Sequence, residues 1–237
     1  GTWQTIDVPH DFQISQDWVP PSADEKENNS DGASNFKSRL SARGFKEMGD
    51  GWYVKTITPA ESLKGKRVLL DFEGIMYVGD VYLNGKRIGG TDYGYLGFDI
   101  DISKLLNYGQ PNTIAVHAST SGPMNSRWYT GGGLFRDVNL ITTPADIYFA
   151  RHPLFVTTCD NHLVDLQIEV ANYTKRNEIK LRTTIADQQG NIVYDKTADM
   201  HFNRKMRTNE LKWETIDIAE PKLWSCETPH LYTATVT

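Results

Sequence analysis

The stretch Val164-Asp165-Leu166-Gln167-Ile168-Glu169-Val170 alternates apolar and polar side chains at every step. A period of two places successive side chains on opposite faces of an extended strand, so Val164, Leu166, Ile168 and Val170 are expected to be buried together and the rest wet. Ile179, Leu181, Thr183 and Ile185 repeat the pattern against Lys180, Arg182, Thr184 and Ala186. Val68, Leu70 and Phe72 repeat it against Leu69, Asp71 and Glu73. Strands with one wet face are those of antiparallel sandwich sheets. Asn84-Gly85, between Tyr77–Leu83 and Lys86–Ile88, predicts a type I′ hairpin, because both residues tolerate positive φ. Gln188-Gln189-Gly190-Asn191 predicts a second turn, joining Ile179–Ala186 to Ile192–Lys196. Helical spacing is nearly absent: a short turn over Ser103–Leu106, opened by an Asp or Ser cap, is all that it predicts. The fold class is all-β.

A boundary is expected near Thr143-Pro144-Ala145, where proline removes a backbone donor and ends a strand. About eight strands precede it and about six follow, the latter in the size and spacing of an immunoglobulin-like sandwich. The expected domains are therefore residues 1–144 and 145–237. Leu231–Val236 reads as a strand with nothing after it to pair, so the second sandwich is expected to stop short of its full strand set. Pro20–Asp50 is different in kind: 31 residues with seven apolar ones, rich in Ser, Asn, Asp, Glu and Lys. It reads either as a surface loop or as a flap over a binding site.

Charge and composition narrow the partners. Lys+Arg number 25 and Asp+Glu 30, a net charge of -5, and no segment carries a basic stripe. A general nucleic-acid or anionic-membrane binder needs a concentrated positive field. Mean hydropathy is -0.49 and no 18-residue apolar run occurs, so no membrane-spanning helix is expected. Cys159 and Cys226 are too few for a disulfide scaffold or a cysteine-based zinc site. Two isolated buried thiols are the plainer expectation, with a Cys159–Cys226 bridge left open. No basic-then-apolar opening reads as a signal peptide, but the chain opens at Gly1-Thr2-Trp3 and compartment stays undetermined, an exported or periplasmic bacterial setting being slightly favoured.

Catalytic motifs are missing from the chain. It has no Gly-x-Ser-x-Gly elbow, no phosphate-cradling glycine loop ending in Lys-Ser/Thr and no His-Glu-x-x-His helix. The six histidines (10, 117, 152, 162, 201 and 230) show no close pair at ligand spacing, so no metal and no cofactor are implied. Carboxylates alternate outward on predicted strands, the pattern of a solvated face. The richest cluster is Asn125-Ser126-Arg127-Trp128-Tyr129-Thr130-Gly131-Gly132-Gly133-Leu134-Phe135-Arg136-Asp137-Val138. Three glycines let the backbone turn sharply and approach a neighbour closely. Arg-Trp-Tyr before them offers a planar donor fork and two aromatic faces, the combination that binds sugars. A core tryptophan under a glycine turn, with Arg127 and Arg136 in ion pairs, fits the same residues.

Several ordered blocks resemble the N-terminal half of glycoside hydrolase family two, the β-galactosidase, β-glucuronidase and β-mannosidase family. Trp3 through Pro9-His10-Asp11-Phe12 is similar to its opening strand and Pro-His-Asp-aromatic motif. Gly51-Trp52-Tyr53-Val54-Lys55 resembles its Gly-Trp-Tyr-Arg-Lys strand, with Val54 in place of the usual Arg. Phe72-Glu73-Gly74, Val81-Tyr82-Leu83-Asn84-Gly85 and Gly94-Tyr95-Leu96-Gly97-Phe98 with Asp101-Ile102-Ser103 follow the family's spacing. Arg127–Val138 resembles its Arg-Trp-Tyr-x-Gly-Ser-Gly-Ile-Tyr-Arg-Asp-Val run, with Gly132 where Ser is common. Pro221-Lys222-Leu223-Trp224-Ser225 and Pro229-His230-Leu231-Tyr232 resemble the end of its immunoglobulin-like domain. Within the family the match looks closest to the shorter bacterial β-galactosidases.

The resemblance implies a jelly-roll sugar-binding domain, then an immunoglobulin-like sandwich, and a TIM barrel downstream that supplies both catalytic glutamates. This chain then holds no catalytic residue. Its substrate would be a β-galactoside or related glycan and its main partner the downstream barrel; complete family members are often dimers or tetramers, so a homo-oligomer is what the resemblance implies for the full-length protein. By position the resemblance assigns Asn125, Arg127 and Trp128 to the sugar: Arg127 donating to a hydroxyl or orienting a barrel carboxylate, Trp128 walling the pocket. It gives His10 and Asp11 the role of bracing that loop, with a purely local turn as the other reading, and makes Arg136 and Asp137 structural. Two other classes fit the composition: an independent carbohydrate-binding module with Tyr93, Tyr95 or Trp18 exposed together, and an adhesion protein of tandem sandwiches.

Overall fold

Thirteen strands form among the described residues of this computed structural model, which are 3–19, 45–121, 130–203 and 210–237. The helical elements among them are two single-turn 3₁₀ segments, Phe12–Ser15 and Glu61–Leu63. The chain divides into two compact units, Gly1–Thr143 and Pro144–Thr237.

In the first unit the strands are β1 (Asp50–Ile57), β2 (Arg67–Phe72), β3 (Val78–Leu83), β4 (Lys86–Thr91), β5 (Phe98–Asp101), β6 (Asn112–Ser119) and β7 (Val138–Thr143). They build a four-stranded sheet ordered β1-β6-β3-β4 and a three-stranded sheet ordered β5-β2-β7, every pair antiparallel. Val68, Leu70 and Phe72 of β2 meet Val81 and Leu83 of β3 and Ile114, Val116 and Ala118 of β6 in one buried cluster. This is a jelly-roll sandwich whose apolar alternation, on strands of both sheets, supplies the core. The Asn84-Gly85 turn joins β3 to β4 with φ of 50° and 82°, as a type I′ hairpin requires. Asn84 also ties this turn to β6: its amide donates to Asn112 Oδ1 at 3.0 Å and its carbonyl oxygen accepts from Thr113 N at 2.9 Å.

Seven strands are described in this unit, where about eight were expected. Ser103–Leu106 is the expected turn with an Asp cap: Leu105 N and Leu106 N both donate to Ile102 O, while Asp101 Oδ1 accepts from Ser103 N. One expectation changes: Leu69 and Asp71 are buried along with Val68, Leu70 and Phe72, so both faces of β2, the middle strand of its sheet, are covered.

The second unit holds β8 (Ile147–Cys159), β9 (Leu163–Asn172), β10 (Glu178–Ala186), β11 (Ile192–His201), β12 (Glu210–Asp217) and β13 (Thr233–Val236). Its sheets are β12-β9-β8 and β11-β10-β13. The first, second and fifth strands thus face the third, fourth and sixth, the immunoglobulin-like division. Leu166, Ile168 and Val170 of β9 pack with Leu181 and Ile185 of β10, Met200 of β11 and Ile216 of β12. The last strand starts at Thr233 rather than Leu231 and is paired, with Thr184 opposite Thr235, since antiparallel sheets join strands by position and not by order. Cys226 is exposed and free, which overturns the expected buried thiol at this position.

One polar group is built into this second core. The Glu214 side chain, 8% exposed, accepts from the Tyr194 hydroxyl at 2.8 Å and from Thr183 Oγ1 at 3.0 Å, with Lys196 Nζ at 3.8 Å. A buried carboxylate survives only with such partners. Burial first, and the Glu214 hydrogen bond second, push the Tyr194 phenol from 10.0 up to about 12. The unfolded chain therefore releases this proton near pH 10 and the folded chain does not, so stability is whole below pH 10 and is lost as pH rises toward 12. Thermal unfolding followed by circular dichroism should give a flat Tm up to about pH 10 and a decline above it, which Tyr194→Phe makes shallower.

Candidate functional site

Gly131–Leu134, the buried end of the glycine-rich cluster, is hydrogen-bonded on both sides. On one side His10 N donates to Leu134 O at 2.7 Å and Phe12 N to Gly132 O at 2.9 Å. On the other, Gly133 and Met76 exchange both backbone hydrogen bonds, at 2.6 and 2.8 Å. Glycine is required where this happens. Gly133 has φ of 116°, and a Cβ there would run into the Tyr53 hydroxyl and approach His10 O to 3.0 Å.

The side chains of His10 and Asp11 are part of the same joint. Asp11 Oδ1 accepts from Gly132 N at 2.9 Å and from Gln13 N at 2.8 Å, so one carboxylate caps the Phe12–Ser15 turn and holds the glycine run. His10 Nδ1 lies 3.0 Å from the Tyr53 hydroxyl, which donates to His10 O at 3.4 Å, and the two rings meet edge-on at 5.7 Å. Burial is the main cause that pushes the Tyr53 phenol up to about 12. Beneath the joint lies Gln13, fully buried, with neither amide atom hydrogen-bonded among the described residues. A Cβ on Gly132 would sit 2.7 Å from Thr120 Cγ2 and 3.0 Å from Gln13 Oε1, so these groups close on the backbone directly.

Two further loops meet the run. Gly74 packs on Phe135 and on Gly94 O, and Gly94 lies against Met76. Arg136 Nη1 donates to Glu73 O at 3.3 Å and to Tyr95 O at 3.2 Å, with its guanidinium 4.9 Å from the Phe135 ring. Carbonyls and a ring, rather than the expected ion pair, hold it here. Asp137 is exposed, and its carbonyl accepts from Glu73 N at 3.0 Å. Tyr93 and Tyr95 are an exposed pair, ring centroids 5.8 Å apart. Trp18 instead carries Lys46 Nζ 4.2 Å over its ring. The segments flanking the long polar stretch are stitched together, Val19 N to Phe45 O at 2.7 Å and Glu47 N to Asp17 O at 3.3 Å.

Of the residues assigned to the sugar, Asn125, Arg127 and Trp128 lie outside the described residues, as does 20–44 of the polar stretch. Gln13 and the Tyr53 hydroxyl were not singled out by the sequence. Gln13 stands in a polar run, Gln13-Ile14-Ser15-Gln16, that reads as exposed, and Tyr53 reads only as an alternating strand position. Among the described residues no group of three or more His, Cys, Asp or Glu could hold a metal ion, and no helix is long and apolar enough to cross a membrane.

This joint yields a test. Asp11→Ala removes two acceptor contacts at once and should lower stability by about 1–3 kcal/mol, whereas Asp11→Asn keeps an acceptor and should lose less. Gly133→Ala should cost more than about 1 kcal/mol, because both φ and the Tyr53 contact forbid a side chain. Gln13→Met, which removes an amide with no partner, should leave Tm unchanged or raise it. Urea unfolding of the four variants measures the stability changes, and a thermal melt gives the Tm of Gln13→Met.

Comparison with known proteins agrees with this architecture. Residues 40–127 match the family model described as glycosyl hydrolase 2 galactose-binding domain-like, and residues 149–237 match that of glycosyl hydrolases family 2. A β-galactosidase of Bacteroides ovatus is 27% identical over 98% of the chain, and a β-glucuronidase of Formosa agariphila is 27% identical over 98%. The crystal structure of a glycosyl hydrolase family 2 member from Bacteroides cellulosilyticus superposes with a TM-score of 0.83 at 29% identity, covering 99% of the chain. The chain spans only 26%, 24% and 29% of the lengths of these three proteins. A galactose-binding-like jelly roll followed by an immunoglobulin-like sandwich, matched by two models of one family along most of its length, makes this chain a member of glycosyl hydrolase family 2.

Proposed function

We propose that this chain is the N-terminal, non-catalytic part of a retaining β-galactosidase that removes terminal β-galactosyl units. The observation that carries the reading is that family similarity runs along almost the whole chain while the chain spans about a quarter of a β-galactosidase relative, 26%. In a retaining enzyme one carboxylate attacks the anomeric carbon and the other protonates the leaving oxygen, with the two about 5–5.5 Å apart. Both glutamates belong to the downstream barrel in this proposal, and the domains 1–144 and 145–237 shape its mouth. The jelly roll contributes through the loop that leads into Gly131–Gly133. Asn125 and Arg127 present donors to sugar hydroxyls, and Trp128 covers the apolar C–H face.

Asp11 and His10 brace that contact in this reading. They hold the backbone at Gly132 and Leu134, four to nine residues beyond the proposed contacts. Fixing the base of a loop limits the freedom its tip loses on binding. A second reading, β-glucuronidase, is favoured by the relative of that name and by Arg127, whose planar fork suits a uronate carboxylate.

Hydrolysis of nitrophenyl β-D-galactoside and β-D-glucuronide should be measured for this chain and for the product of the same gene read to its natural stop. The short chain is expected to be inactive and the long product to cleave the galactoside. Cleavage by the short chain overturns the placement of the glutamates; preference for the glucuronide selects the second reading. In the long product Arg127→Ala should lower kcat/KM by roughly tenfold or more, and an unchanged value removes the contact assignment.

A further inference from the structure

The outer face of the β1-β6-β3-β4 sheet carries a cluster that the glycine-run site does not use. Trp52 on β1 lies opposite His117 on β6, and His117 lies opposite Asp80 on β3. Ala115, two residues back along β6, is opposite both Val54 and Tyr82. Its small side chain lets the Trp52 and Tyr82 rings meet across the strand, centroids 5.8 Å apart and 36° between planes. The Trp52 and His117 rings lie nearer still, 4.7 Å apart and tilted by 30°. Trp52 is nonetheless 50% exposed: the imidazole supports one face of the indole and the other is open.

Charged groups are fixed beside these rings in a line across all four strands. Arg87 Nε bonds Asp80 Oδ1 at 2.6 Å, Asp80 Oδ2 lies 4.0 Å from His117 Nδ1, and His117 Nε2 lies 3.1 Å from Asp50 Oδ1. Each side chain is tied to a neighbour, so little rotamer freedom remains to be lost on binding. A cross-strand aromatic pair stabilises a sheet by itself. That role does not call for an indole open on one face with carboxylates held at its margin.

We propose that this face binds a neutral pyranose unit of a glycan chain, with the C–H face of the sugar on the open face of Trp52 and its hydroxyls donating to Asp50 and Asp80. Aromatic rings take the apolar face of a sugar, and carboxylates accept hydroxyl hydrogen bonds more strongly than neutral groups do. Charge selects among glycans. Two carboxylates stand against Arg87, which Asp80 already engages, so a uronate or sulfated sugar is repelled and a neutral one is not. An exposed, one-ring platform suits an internal unit of a long chain, with a shallow, weak, multivalent mode of binding. The inference does not depend on which sugar the glycine-run site takes.

Native electrophoresis through gels containing neutral polysaccharides (galactan, β-glucan, xylan) or polygalacturonate tests this on the 237-residue chain. At least one neutral polymer should retard the chain and polygalacturonate should not. Trp52→Ala should weaken retardation by about tenfold or more, Trp52→Phe should retain part of it, and Asp50→Asn should weaken it while leaving Tm unchanged. Circular dichroism on each variant separates loss of binding from loss of fold. No retardation by any neutral polymer, equal retardation of Trp52→Ala, or stronger retardation by polygalacturonate overturns the proposal. So does retardation of the short chain that disappears in the longer gene product, since another domain then covers the face. In that longer product Trp52→Ala should leave hydrolysis of a nitrophenyl monoglycoside unchanged, which separates this site from the one above.

Discussion

A four-residue backbone run, Gly131–Leu134, is hydrogen-bonded to His10–Phe12 on one side and to Met76 on the other. Buried amides must find partners, and here the partners come from two distant parts of the chain. The run can lie between them only because Gly133 has no side chain; a Cβ there would collide with Tyr53. That one steric condition lets the N-terminal segment lie down beside the run. It also lets Asp11 reach Gly132, and places Arg136 where its guanidinium meets the carbonyls of Glu73 and Tyr95.

Polar groups in this molecule divide by what holds them. Asp11 and Glu214 are acceptors saturated from several sides, one by backbone amides and one by hydroxyls. Both serve as internal struts. Gln13 is the opposite case, a buried amide with both atoms unpaired among the described residues, a cost of about 1–3 kcal/mol in an otherwise well-satisfied joint. Trp52 with His117 and its flanking carboxylates is a third kind, ordered by mutual contacts yet facing solvent. An open and ordered surface is what a ligand meets at low entropic cost.

Membership of glycosyl hydrolase family 2 describes scaffold and ancestry; activity belongs to residues placed around a substrate. The immunoglobulin-like unit illustrates the difference. Its core repeats the same alternation as the jelly roll, and its most constrained polar group, Glu214, is bonded to Tyr194 and Thr183. Such a carboxylate is a structural acceptor and not a free acid or base. The jelly roll, by contrast, gathers loops from 10–13, 73–77, 93–97 and 131–137 against each other.

Strand periodicity needs only neighbours two apart in sequence, which is why Val164–Val170, Ile179–Ile185 and the Asn84-Gly85 turn were legible from the chain alone. The all-β class followed from them, and the ordered motifs carried the family. Local patterns fail where distant groups decide. Asp71 reads as an outward carboxylate but is buried, on the face of β2 opposite the Val68-Leu70-Phe72 core. Cys226 reads as a buried thiol but lies exposed, and Gln13 reads as surface but has no exposure at all. Arg136 reads as an ion-pair donor, yet carbonyls from two other loops receive it. The glycine run marked the place of the joint in advance; its partners, at separations of up to 124 residues, were set only when the sheets closed and brought His10, Asp11, Tyr53 and Met76 onto it.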